Sequence, residues 1–163
     1  MEAAKPSLPK GRERPVPLHP RYLPDDAWST IRMVRFSDCD PAGIVYTPRF
    51  IDMANGVIED FFLDQLRIDY HALIRASRVG LGYKSVDTDF FKPAFMGERL
   101  SFTVLIEHIG RTSIIFSTHC VREIEEIMRC RLVMVTTSLN TNSAIDIPAN
   151  LKNALIAYRE RCR

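Results

Sequence analysis

The run Phe36-Ser37-Asp38-Cys39-Asp40-Pro41-Ala42-Gly43-Ile44-Val45-Tyr46 sets two carboxylates two residues apart, between a strand-like segment and the start of a helix. A helix start offers backbone N–H groups without intrahelical partners and a partial positive charge, which together suit an oxyanion. A carboxylate beside it can attack a carbonyl held there, or activate water to do so. The residue types leave a second reading open, in which Asp38 and Asp40 only cap a turn. Asp-x-Asp after a strand is also a pattern of metal-dependent phosphoryl transfer, but that pattern continues with Gly-Thr on a parallel sheet. Neither holds here.

The elements that must position this run are legible from periodicity. Trp28 to Phe36 alternates imperfectly, with Ile31, Val34 and Phe36 on the apolar side and Thr30, Arg32 and Arg35 on the polar side, and predicts a half-buried strand. Thr47 followed by Pro48 predicts an N-cap with proline at the first helical position. Phe50, Met53, Ala54, Val57, Ile58, Phe61, Phe62 and Leu66 then recur at three- and four-residue spacing, a long amphipathic helix from about Pro48 to Leu66. A shorter helix over Tyr70 to Arg78 is expected to end at a Gly80-Leu81-Gly82 breaker. Four strands follow: Tyr83 to Phe91, Arg99 to Ile109, Thr112 to Arg122 and Ile127 to Leu139. Gly110-Arg111 and Glu123-Ile124-Glu125-Glu126 are the expected returns, too short for anything but antiparallel pairing. The fold class is α+β, a long helix packed on an antiparallel sheet.

The 163 residues suit one domain, and no apolar run approaches the roughly 20 residues that span a bilayer. Met1 to Arg14 carries charges and prolines where a secretory signal needs an apolar stretch, so a cytoplasmic protein with free thiols at Cys39, Cys120, Cys130 and Cys162 is expected. Six of the ten prolines fall within the first 24 residues, which read as an extended or disordered leader. Residues 25–147 read as the domain and 148–163 as a C-terminal helix extending it. The leader holds Lys5, Lys10, Arg12, Arg14 and Arg21 against Glu2 and Glu13, so the remainder of a chain of net charge +2 is close to neutral. Nothing in that balance calls for nucleic acid or a membrane surface as a partner.

Asp38 to Val45 ahead of the Pro48-led helix closely resembles the hotdog-fold acyl-CoA thioesterases of the 4-hydroxybenzoyl-CoA thioesterase family. Asp89-Phe90-Phe91-Lys92-Pro93 with Gly97-Glu98-Arg99-Leu100, and Ala144-Ile145-Asp146-Ile147-Pro148, are similar to later segments of that family. The resemblance spans roughly residues 27–149 and implies a hotdog fold, its helix wrapped by a curved sheet. It also implies hydrolysis of an aromatic acyl-CoA such as hydroxybenzoyl-CoA, or of a short- or medium-chain one. Asp40 matches the catalytic carboxylate, as nucleophile or general base, and the backbone N–H near Thr47 would polarise the carbonyl. Pro41, Ala42, Gly43, Tyr46, Phe50 and Asn55 would meet the acyl group, Asn55 standing where the family's 4-hydroxybenzoyl enzyme places a carboxylate. Arg111, Thr112 and Ser113 would meet coenzyme A, while Ser143 replaces a further arginine of the family. The resemblance implies no metal and no cofactor beyond the coenzyme A of the substrate, and self-association as a dimer or tetramer with the site between subunits. A hotdog hydratase or dehydratase is a poorer match, since no histidine lies between Asp38 and Tyr70. A non-catalytic acyl-CoA binder is the reading from another class.

Overall fold

Short returns decide the architecture. Glu123 sits at φ 54° in a two-residue turn, and the Gly110 N–H closes another return onto the Ser113 carbonyl at 2.8 Å. The computed structural model describes residues 15–163. Its elements are β1 (Ser29–Met33), α1 (Thr47–Asp60) continued by a π-helical turn (Phe61–Gln65), α2 (Tyr70–Arg75), β2 (Val79–Phe90), β3 (Arg99–Ile109), β4 (Ser113–Arg122), β5 (Glu125–Ser138), β6 (Ser143–Ala144) and α3 (Ala149–Arg161). All pairings are antiparallel, in the order β1-β3-β4-β5-β2, with β6 on β5. This is the expected α+β class in its hotdog form, α1 held inside a curled sheet. No helix among the described residues is long and apolar enough to cross a membrane.

α1 buries Phe50, Ala54, Val57 and Ile58, and the following turn buries both Phe61 and Phe62 completely. Consecutive residues of an α-helix point about 100° apart, so two adjacent phenylalanines do not share one narrow stripe. The π-helical turn, with the Leu66 N–H on the Phe61 carbonyl at 3.1 Å, replaces the regular helix expected to run to Leu66. Phe61 then meets Trp28, Phe116 and Tyr158 edge-on at 5.7, 6.0 and 4.8 Å. Tyr158 ties α3 to the sheet, donating to the Val104 carbonyl at 2.5 Å and accepting the Trp28 N–H at 2.9 Å.

Other expectations change as well. Gly80 and Gly82 do not break the chain; they lie inside β2, opposite Thr137 and Val135. A Cβ on Gly80 would stand 2.6 Å from Thr137 Oγ1 and 2.7 Å from Leu139 Cδ2, so this glycine serves close strand packing. In β1 the faces are reversed: Ile31 and Met33 are about half exposed, while Arg32 turns inward to an ion pair with Asp60 of α1. The return after β4 is only Glu123-Ile124, which moves Glu125 and Glu126 into β5.

Glu126 is consequently buried, and four donors converge on its carboxylate. They are the Leu18 N–H at 2.6 Å, His119 Nδ1 at 2.8 Å, and Arg129 through Nε at 2.9 Å and Nη2 at 2.5 Å. Burial alone would raise this acid, but the hydrogen bonds from His119, Arg129 and Leu18 outweigh it and hold the pKa at about 2. Arg129 Nη2 also donates to the Val16 carbonyl at 3.2 Å. Residues 15–19 of the expected leader are therefore strapped onto β5, and residues 1–14 lie outside the described part.

Two outcomes follow for stability. Gly80→Ala should lose about 1–3 kcal/mol in urea unfolding, whereas Gly82→Ala, with open space around its Cβ, should be neutral or slightly stabilising. A folded pKa below the ordinary 4.5 means that the Glu126 contribution is full above pH 4.5 and is lost as pH falls toward 2. Glu126→Gln should thus be about 3 kcal/mol less stable than wild type at pH 7, and the gap should close between pH 5 and 2 in acid-unfolding curves.

Candidate active site

The turn ahead of α1 is built almost entirely by its own aspartates. Asp38 Oδ2 accepts the Arg35 N–H at 2.7 Å, and the Asp38 carbonyl accepts the Tyr46 N–H at 2.9 Å. Cys39 bridges to Val45, and inside that bridge the Asp40 N–H reaches the Ile44 carbonyl at 3.0 Å. The Gly43 N–H returns to the Asp40 carbonyl at 2.9 Å. Gly43 stands at φ 80°, a conformation that glycine adopts without the Cβ clash other residues incur. Asp40 Oδ1 accepts the Ala42 N–H at 2.9 Å, which aims the half-buried carboxylate from the tip of the turn.

Val45 is pinned to the Ala94 carbonyl at 2.9 Å, and α1 starts two residues later. Tyr46 is the N-cap and Pro48 the second helical residue, one position earlier than expected. No side chain caps this end, and its first turn carries no acid. Pro48 has no N–H and the Arg49 N–H bonds the Tyr46 carbonyl at 2.7 Å, so the Thr47 N–H and the partial positive charge beside it are what this end offers an oxyanion. Beside them opens a cavity of about 270 Å³, lined by Ile44, Val45, Thr47 and Phe50 on the helix side. Phe90, Phe91, Lys92 and Pro93, at the end of β2, form the opposite wall. The Phe50 and Phe90 rings lie 5.6 Å apart.

Of the residues singled out in the sequence, Thr47 and Phe50 line the cavity, and Asp40, Pro41, Ala42 and Gly43 form the adjoining turn. Tyr46 is exposed at the helix cap. Asn55 lies two turns further along α1 with both ends of its amide engaged: it donates to Glu59 Oε1 and accepts the Tyr83 hydroxyl, each at 2.9 Å. Arg111, Thr112 and Ser113 fall at the far end of β3 from the Asp40 turn, roughly 30 Å along the strand. Arg111 pairs there with Asp146. One protomer does not bring that hairpin to the cavity. Phe90 and Phe91 were not among the candidate site residues; the signal was an aromatic pair closing a strand against Lys92-Pro93. No group of three or more His, Cys, Asp or Glu side chains suited to a metal ion occurs among the described residues.

A sequence profile of the Thioesterase-like superfamily matches residues 34–155. A 1,4-dihydroxy-2-naphthoyl-CoA hydrolase from Crocosphaera subtropica is 28% identical over 81 residues, 50% of this chain and 58% of that protein. The matched part thus spans little more than half of that relative's length. A protein of the same name from Microcystis aeruginosa is 25% identical over 126 residues, 76% of this chain and 89% of its own. Among solved structures, a 1,4-dihydroxy-2-naphthoyl-CoA thioesterase from Synechocystis superposes with a TM-score of 0.74 at 21% identity, covering 80% of this chain and 96% of that one. At that identity the likeness speaks for the fold.

The turn gives a direct expectation. Gly43→Ala should lower unfolding stability by about 1 kcal/mol in urea titration, because a Cβ is disfavoured at φ 80° although space around it is open.

Proposed function

This chain belongs to the Thioesterase-like superfamily, and from that premise we propose that it hydrolyses an acyl-CoA thioester with an aromatic acyl group. The observation that carries the reading is the cavity lined by Phe50, Phe90 and Phe91, which opens at an uncapped helix start beside the Asp40 turn. An aryl ring can pack against the contacting Phe50–Phe90 pair and Phe91, and apolar walls favour it over a charged acyl group. The naphthoyl-CoA hydrolases among the relatives support the same substrate class.

In this reading the thioester carbonyl oxygen accepts the Thr47 N–H, so charge developing on it meets the positive helix end. Asp40 then acts by one of two routes. As a base it takes a proton from water while the water oxygen bonds to the carbonyl carbon; as a nucleophile its own oxygen bonds there and water cleaves the resulting anhydride. In both, the carbon–sulfur bond breaks and coenzyme A leaves as a thiolate that takes up a proton. Asp38 holds the turn through Arg35 and leaves the chemistry to Asp40.

The active form is proposed to be a dimer or tetramer. β2 pairs with β5 along one side, and its other side carries no strand among the described residues. A second copy would let the Arg111–Ser113 hairpin of one subunit approach the cavity of another, supplying a cation and hydroxyls for coenzyme A phosphates.

The test is CoA release from benzoyl-CoA and related aryl thioesters, followed with a thiol-reactive dye. Asp40→Asn should reduce turnover by about 10³-fold or more while binding and fold persist. A fully active Asp40→Asn protein would refute the assignment. Tight binding by the wild type without any thiol release would favour the non-catalytic binder.

A further inference from the structure

The strap over residues 15–19 lies outside the stretch that matches the superfamily, residues 34–155, yet its anchors lie inside it. Its two main-chain contacts are unusual for a surface segment. The Leu18 N–H reaches a carboxylate that is 2% exposed, and the Val16 carbonyl accepts a hydrogen bond from the arginine paired with that carboxylate. The guanidinium of Arg129 also stands 5.5 Å from the centre of the Phe91 ring. Phe91 and Phe90 form one wall of the cavity described above, and on their other side they border a groove that Pro15 and Pro17 help to line. The backbone of the same wall is bound to β5, with the Phe91 N–H on the Ile127 carbonyl at 2.9 Å. A continuous chain of contacts therefore runs from strap to carboxylate, guanidinium, aromatic ring and cavity wall.

We propose that residues 15–19 are a specificity element: by clamping Glu126 and Arg129 they fix the Phe90–Phe91 wall and so set the preference for a flat aromatic acyl group over a small aliphatic one. The inference rests on the reading that this cavity receives the acyl group. Glu126 and Arg129 are positioning residues in it, and neither touches substrate. Ser117, His119 and Glu126 do carry the hydrogen-bond order of a hydrolytic relay, with Ser117 Oγ 3.1 Å from His119 Nε2. Ser117 is 4% exposed, however, and out of a substrate's reach, so the relay serves to brace the anchor. A ring packed against the Phe90–Phe91 wall feels the placement of that wall; an ethyl group, too small to span the cavity, does not.

The strap can be released without touching the site. Leu18→Pro removes the N–H that Glu126 accepts, and Leu18→Ala keeps it. On the full chain, dissociation constants for two uncleavable thioethers, S-phenacyl-CoA and S-ethyl-CoA, are measured by calorimetry. Leu18→Pro should weaken S-phenacyl-CoA about five- to tenfold and leave S-ethyl-CoA within about twofold, with Leu18→Ala at the wild-type ratio. Arg129→Lys, which keeps the charge but loses the planar contact with Phe91, should shift the ratio the same way and stands in should Leu18→Pro fail to fold. An unchanged ratio, equal weakening of both ligands, or no binding of S-phenacyl-CoA by the wild type would overturn the proposal. Because neither ligand is cleaved, the outcome is independent of hydrolysis. A wild type that binds S-phenacyl-CoA but releases no CoA from benzoyl-CoA would sink the proposed activity and leave the role of the strap standing.

Discussion

The structure depends on one burial constraint, the enclosure of α1 and its π-helical turn by a single curled sheet. Ala54, Val57, Ile58, Phe61 and Phe62 are all fully buried, and the sheet answers them with Phe102, Phe116, Met128 and Met134, equally buried. Interiors of this kind are packed at close to crystal density, so the helix has little freedom to slide or rotate. Its buried middle therefore sets where its first turn emerges. The Thr47 end is further located by Val45, held to the Ala94 carbonyl, and by Phe50 against Phe90. An uncapped N–H such as that of Thr47 would be a liability in a buried position; at the mouth of a cavity it is a placed source of positive potential.

The polar features sort by distance from that core. The Asp40 turn is short, self-bonded and exposed at its tip, as the proposed encounter with water and a thioester requires. Glu126 sits at the other extreme, a carboxylate out of water that persists only because four donors surround it. Surface pairs such as Arg111–Asp146 are too exposed to matter much for stability. Asp40 is the carboxylate proposed to react, whereas Glu126 is committed to holding an extra segment against the sheet.

Much of this was legible in the residues. The long apolar stripe from Phe50 to Leu66, the hairpin returns and the Asp38–Val45 run led directly to a helix held in an antiparallel sheet, with a carboxylate at the helix start. What escaped depends on contacts between distant segments. Gly80 looks like a breaker in isolation and becomes a packing residue only beside Thr137 and Leu139. Arg32 belongs outside by its charge, and turns inward because Asp60 waits there. Glu126 sits in an acidic run that reads as a turn, and its burial follows from His119, Arg129 and a leader residue 108 positions away. The Phe90–Phe91 wall was similarly hidden, since an aromatic pair ending a strand does not announce which cavity it closes.

The most direct measurement of the central claim is a crystal structure of the protein with S-phenacyl-CoA bound. The aryl ring should lie in the cavity against Phe50, Phe90 and Phe91, with the carbonyl oxygen within hydrogen-bonding distance of the Thr47 N–H on the side of the Asp40 turn. An aryl group seated in any other cavity, with the Thr47 N–H left to solvent, would contradict it.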